Sequence, residues 1–324
     1  MPTEPLPSYD DLPVRLGLPP GSSWGFWGDD DVFGCLNLLT PERIVAAAAL
    51  VQKGAVFALN LDLDLPDPPL FGRRAPEHTV HTGRDGRSHD DELAFNTQSS
   101  SQWDGFRHVG SHHGFYNGVA DEDHGMHHWA TRGIAGRAVL ADVGRWRAET
   151  GQPIDCRESE PITVDDVLSC LDHQQTTVET GDILLLRTGW VGWYRSLDHG
   201  ARVGLAADLR APGLVPGEAT ARGLWDLHIS AIAADNPAVE VWPAGVLADD
   251  ATRQAARDDP DKAMELFVHF SLLPLLGLPL GELWDLEALG DDCAADKRYE
   301  CFFTSAPLKV TGGVASPPNA VAIK

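Results

Sequence analysis

Asn96-Thr97-Gln98-Ser99-Ser100-Ser101-Gln102-Trp103-Asp104-Gly105-Phe106-Arg107-His108 gathers amide, hydroxyl, carboxylate and imidazole groups with almost no aliphatic side chain among them. Gln98, Ser100, Gln102 and Asp104 alternate, so an extended run projects all four from one strand face. A face that polar looks either at water or at a site. Gly105 allows a tight turn, which leaves His108 near the end of the strand. Asp104 can bind a divalent cation, and His108 can move a proton near neutral pH. Spacing alone equally allows a hydrogen-bonded turn aspartate beside an exposed histidine. Ser99, Ser100 and Ser101 offer hydroxyls, but no G-x-S-x-G elbow accompanies them, which argues against a serine hydrolase.

Outward from this stretch, strand-like and helix-like segments alternate. Thr40 as N-cap with Pro41 behind it opens a helix that runs to about Lys53. Ala55 to Leu63 and Gly136 to Val143 read as strands. Pro161 to His173 reads as a helix capped by Thr163, and Gly181 to Trp190 as a turn entering a fully buried strand. A helix over Ala219 to Leu227 precedes a strand over Ile229 to Ala234. Pro260 to Leu276 is mostly apolar around His269, Glu282 to Leu289 forms a short element, and the last strands lie within Glu300 to Val310. Interleaved elements without a clean linker indicate one α/β or α+β domain over residues 1–324. An irregular arm covers about 1–28. Asp64 to Asp91, rich in Pro, Gly, Arg, His and Asp, reads as a long loop, which in a compact domain is a lid, a binding loop or an oligomer arm.

Forty-eight acidic against 25 basic residues give a formal charge of −23 over 324 residues. Such a surface repels phosphate backbones and anionic membranes, so neither nucleic acid nor a membrane is expected as a partner. The five cysteines, Cys35, Cys156, Cys170, Cys293 and Cys301, are scattered and form no C-x-x-C pair, as in a reduced cytoplasmic protein. No secretory signal or bilayer-length apolar run is visible. The histidines His112, His113, His124, His127 and His128 lack regular helical metal-ligand spacing, and the sequence places one of them, His112, at the site. Trp103, Phe106, Phe115, Tyr116 and Trp190 are candidate aromatic walls for a substrate.

The run Gln98 to His108 resembles the H-x-G-T-H-x-D-x-x-x-H signature of the metal-dependent cyclase superfamily of kynurenine formamidase-like hydrolases. Asp104 and His108 match its D-x-x-x-H half, while Gln98 and Gln102 replace its two upstream histidines. Asn37 to Glu42, Gly133 to Asp142, Gly181 to Trp190, Ala234 to Pro243 and Thr304 to Ala320 are similar to segments of a longer branch of that group. His269 followed by Glu282 resembles its second metal-binding element, with one extra residue between them. The resemblance implies a swivelling β/β/α domain with a mixed central sheet. It implies metal ligation by Asp104, with Gln98, Gln102, His269 and Glu282 as further candidates, and His108 as the acid/base. Amide oxygens in place of imidazoles harden the site, so Mn²⁺ or Mg²⁺ is expected over Zn²⁺. The implied activity is hydrolysis of an amide, lactam or lactone carbonyl in a small cyclic or aromatic molecule. A biosynthetic cyclase or dehydratase, or a binding protein with a decayed metal site, are the alternatives. A homo-oligomer is expected from the arm and the long loop.

Overall fold

The computed structural model describes residues 6–324; residues 1–5 of the expected N-terminal arm lie outside the described residues. Thirteen strands are numbered in chain order. They are β1 (Val56–Ala58), β2 (Glu77–Thr82), β3 (His89–Ala94), β4 (Gln102–Asp104), β5 (Ile134–Ala141), β6 (Pro161–Ile162) and β7 (Ile183–Leu186). The remainder are β8 (Gly213–Leu214), β9 (Ala231–Ala234), β10 (Leu280–Glu282), β11 (Glu300–Ser305), β12 (Ala315–Ser316) and β13 (Ala320–Ile323). Nine of them form one mixed sheet in the order β1-β13-β11-β5-β7-β9-β10-β4-β12. Its centre, β5-β7-β9-β10, is parallel, and antiparallel pairs flank it on both sides. The fold is therefore mixed α/β, as expected.

The central strands are apolar for a physical reason. Ile183-Leu184-Leu185-Leu186 and Ala231-Ile232-Ala233-Ala234 are buried along their whole length, because a parallel strand covered on both faces has no side for polar groups. Helices start where side chains can satisfy free backbone N–H groups. Thr40 accepts from the Arg43 N–H ahead of Pro41–Ala48, and Thr163 and Asp166 form a reciprocal cap ahead of Val164–His173.

Several boundaries differ from the sequence reading. The first helix stops at Ala48, and only Val56–Ala58 of the Ala55 to Leu63 segment pairs as a strand. Val143 and Trp190 open helices, Val143–Glu149 and Trp190–Ser196, where strand ends were expected. The segment after His269 is a single α turn, His269–Ser271, continued by a π turn over Leu272–Leu276.

The expected loop from Asp64 to Asp91 is a loop only in its first half. Its second half enters a β2-β3 hairpin whose strand residues are all exposed. Six-residue register between the two strands explains it: Thr79↔Glu92 and Val80↔Asp91 pair across a Gly-rich turn that a composition-based reading treats as irregular. No helix among the described residues is long and apolar enough to cross a membrane. All five cysteines are free and buried.

Candidate active site

The site is built on two neighbouring short strands. β4 and β10 run antiparallel with Gln102 opposite Glu282 and Asp104 opposite Leu280. Directly opposed residues share a sheet face, so Gln102 Nε2 reaches Glu282 Oε2 at 2.5 Å. Asp104, two residues further on, lies on the same face, and Gln102 Nε2 is also 3.4 Å from its Oδ2. Gly105 then turns the chain. A Cβ there would sit 2.8 Å from the Val314 carbonyl oxygen, while the His108 N–H donates to the Gly105 carbonyl at 2.9 Å. That turn brings His108 back over the strand.

The alternation expected from Gln98 to Asp104 is interrupted. Only Gln102–Asp104 is strand. Upstream, the Asn96 side chain accepts from the Gln98 N–H and its carbonyl accepts from the Ser99 N–H and hydroxyl, which folds the chain into a turn. Gln98 nevertheless arrives at the site from that turn. Its Nε2 donates to Asp104 Oδ1 at 2.7 Å and lies 3.2 Å from His108 Nδ1. Ser100 donates to the Asp62 carbonyl and Ser101 to the Leu283 carbonyl, so these hydroxyls are spent on the scaffold.

His269 comes from the other side, at the start of its one-turn helix. Its Nε2 lies 3.0 Å from Glu282 Oε1 and 3.7 Å from Asp104 Oδ2. Its Nδ1 is gripped by both oxygens of Glu240, at 2.8 and 2.9 Å. The sequence reading did not single out Glu240. The available signal was a lone acid in the apolar run Ala238-Val239-Glu240-Val241-Trp242. Val239, the residue before it, has φ +57°, a left-handed conformation that a β-branched residue adopts only where surrounding structure enforces it. Leu283, immediately after Glu282, has the same φ of +57°. Each acid thus has a left-handed non-glycine residue beside it, Val239 before Glu240 and Leu283 after Glu282 at the end of β10.

Burial and charge set the protonation states. Burial opposes the charged form of Asp104, but the imidazoles of His108 and His269 and the Arg73 guanidinium outweigh it and hold the carboxyl down at about 2. Burial, helped by the charges of His269 and Arg73, holds His108 below the ordinary imidazole range despite Asp104. His269 goes the other way. Burial disfavours its proton, yet Glu240 and the hydrogen bonds to Asp104 and Glu282 raise it well above that range. Glu282 is pushed up to about 7 by burial and by the charge of Asp104. The arrangement therefore offers an ionised acid and a neutral imidazole side by side.

The donor set fits a divalent cation. One ligand atom each from Asp104, His108 and His269 lie within 4.8 Å of one another. Gln102 Oε1 is buried without any hydrogen-bond partner, an orphaned acceptor that a cation would satisfy. Glu240 behind His269 is the carboxylate–imidazole pairing that orients a ligating histidine.

Beside these groups opens a pocket of about 500 Å³ lined by Phe71, Trp242, Phe267 and Phe270, with Arg73, His108, His269, Glu240 and Glu282 along its polar side. The expected aromatic walls lie elsewhere. Trp103 points to the opposite face of β4 and is fully buried between Trp129 and Trp284. Phe106 packs on Tyr116 and Trp129, and the Tyr116 hydroxyl donates to Asp31. Trp190 stacks on Tyr194. Phe115 is half-buried and outside the pocket lining. His112 is exposed, pairs with His113 and does not line the pocket.

Residues 35–241 match the family described as "Putative cyclase". The chain belongs to this cyclase family. A crystal structure described as a novel cyclase superposes with a TM-score of 0.79 at 33% identity, covering 94% of this chain and 99% of that one. Isatin hydrolase A from Labrenzia aggregata, bound to benzyl benzoate, shares the fold at a TM-score of 0.55 and 15% identity, over 87% of this chain and 97% of its own. Isatin hydrolase A from Ralstonia solanacearum does so at 0.52 and 17%, over 88% and 99%. No curated protein matches the chain. The protein is an enzyme of the cyclase family.

Proposed function

We propose that this cyclase-family enzyme is a metal-dependent hydrolase of an amide, lactam or lactone carbonyl in a small aromatic or cyclic molecule. The observation that carries the reading is the junction of the Asp104–His108–His269 donor cluster with an aromatic pocket. Asp104, Glu282 and His269, the last by giving up its Nε2 proton to the ion, would hold the cation, with Gln102 supplying an amide oxygen and Gln98 held back on Asp104. These are mostly hard oxygen donors, which favours Mn²⁺ or Mg²⁺ over Zn²⁺. When bound, a divalent cation lowers the pKa of water and polarises the carbonyl. The chain's own residues do the rest. Phe71, Trp242, Phe267 and Phe270 bind the ring and exclude water. His108, neutral and half-enclosed, takes a proton at a ring nitrogen and returns it to the leaving group, while Gln98 holds the imidazole in place. Glu240 fixes the tautomer and direction of His269.

Titration of the purified protein with Mn²⁺ tests this reading. A stoichiometric ion, whose removal by chelator abolishes turnover of a panel of aryl amides, lactams and lactones, is the expected result. Failure to retain any divalent ion under metal-replete conditions overturns it. Product mass decides the reaction direction: a gain of water marks hydrolysis, and a loss of water marks the cyclase or dehydratase alternative. Glu240→Gln keeps the shape but removes the charge that orients His269. Isothermal titration should show Mn²⁺ affinity lowered by about 10- to 100-fold, with the unfolding midpoint little changed.

The reading also covers the setting. Five buried free thiols suit a reducing cytoplasm. The β2-β3 hairpin, exposed on both faces, suits packing against a second copy, because a lone two-stranded ribbon is marginal in water.

A further inference from the structure

One side chain in the pocket is left unexplained by the metal site. Arg73 is the only Lys or Arg lining the pocket among the described residues. Its one side-chain hydrogen bond within the described residues goes to the carbonyl oxygen of Gln98, and its guanidinium sits 5.0 Å from the centroid of the Phe71 ring. It makes no ion pair there, whereas its neighbour Arg74 pairs with Glu77 and Arg187 pairs with Asp142 and Glu287. The guanidinium is part-buried at the pocket wall and pairs with none of the acids there, so it is free to meet a ligand.

The backbone carrying it is equally unusual. Leu70 is buried and anchors the turn, after which Phe71 and Gly72 are successively left-handed, at φ +58° and +66°. A bulky aromatic residue in that region is a genuine outlier. The outcome of the strained turn is to lay Phe71 edge-on to Trp242, at 5.0 Å between centroids, and to aim Arg73 along the pocket's polar side. The three acids facing it are already engaged: Glu240 by His269, Glu282 by Gln102 and His269, Asp104 by Gln98. Four of the guanidinium's five N–H groups stay available at the pocket wall, where a planar fork matches a carboxylate.

We propose that Arg73 is a recognition residue for an aromatic carboxylate, the acid released when the C–N or C–O bond of the substrate breaks and water's oxygen stays on the acyl carbon. The aromatic wall holds the ring and Arg73 receives the carboxylate. This rests on the hydrolase reading given above, and its test reads binding instead of turnover. Fluorescence titration of the protein with 2-naphthoate and with the uncharged 2-naphthamide compares the two ligands at matched metal content. The wild type should prefer the acid, and Arg73→Gln should lose about tenfold or more of that preference while keeping its affinity for the amide. Arg73→Lys, which keeps the charge and loses the fork, should fall between. An Arg73→Gln variant with unchanged preference overturns the proposal while leaving the hydrolase reading intact. A wild type that binds neither ligand, or both equally, also overturns it. Loss of metal with the preference retained removes the hydrolase reading instead.

Discussion

His108→Ala should lose turnover by about 10²- to 10⁴-fold while retaining its metal ion, and Asp104→Ala should lose both. The two residues belong to one signature run but stand on different sides of the chemistry. Asp104 is fully buried, ionised and in contact with Gln98, Gln102 and His269, so its removal takes away the negative charge around which the donor cluster gathers. His108 has a ring nitrogen within 4.8 Å of the donor atoms of Asp104 and His269, but its ring hydrogen-bonds only to Gln98 and lies 5.9 Å from the His269 ring between centroids. It lines the pocket, and it is held neutral. Removing it leaves the cation-binding groups in place and deletes the proton carrier. Elemental analysis beside steady-state kinetics reads the split, with circular dichroism showing that both variants fold. Full activity in either variant removes that residue from the mechanism. Loss of metal in His108→Ala would make it a ligand instead of a base.

The largest effect on stability should come from the residue just before Asp104. Trp103→Ala should lower the free energy of unfolding by about 3–5 kcal/mol, the cost of a large aromatic cavity in a packed core. Trp103 is fully buried, with Trp284 at 4.7 Å and Trp129 at 6.4 Å between ring centroids, both edge to face. Its indole N–H donates to the Ser305 hydroxyl at 2.9 Å, so truncation also removes one of the two hydrogen bonds of that buried group, which still donates to the Pro318 carbonyl. Trp284 stacks in turn on Phe303 of β11, which ties β4 to the far part of the sheet. Chemical denaturation should show the loss as a shift in midpoint. Trp103→Phe, which keeps most of the volume but not the donor, should lose less than half as much. A change under about 1 kcal/mol for Trp103→Ala would place the ring outside the core.

The parts of the molecule that local chemistry decides were legible beforehand. Thr40 and Thr163 mark their helices because a hydroxyl at the N-cap is local physics, and Ile183 to Leu186 reads as a buried strand because no polar residue interrupts it. The resemblance of Gln98 to His108 pointed to the cyclase family and its mixed sheet. The rest depends on long-range pairing. Glu240 and Arg73 reach the pocket only because the segment after β9, the Phe71 turn and the β4–β10 pair meet there, and apart from the apolar run around Glu240 nothing adjacent to either residue announces it. The extended reading of Gln98 to Asp104 failed upstream because Asn96 and Ser99 offer the backbone local partners. The expected walls failed for a reason the same alternation contained. If Gln102 and Asp104 face the site, Trp103 between them must face the core.

That alternation also sets what kind of change the stretch tolerates. β4 is three residues long, with Gln102 and Asp104 on one face and Trp103 on the other. A single inserted or deleted residue before Gln102 would carry the carboxylate into the indole's berth and the indole into the pocket, ruining catalysis and packing together. Exchanging one polar side chain for another on the site face leaves that register unchanged. The segment is therefore rigid in length and permissive in letters, so amides can stand where imidazoles would without disturbing the sheet. For anyone redesigning the enzyme, Gln98 and Gln102 are the positions to vary, and the spacing between them is the one thing to leave alone.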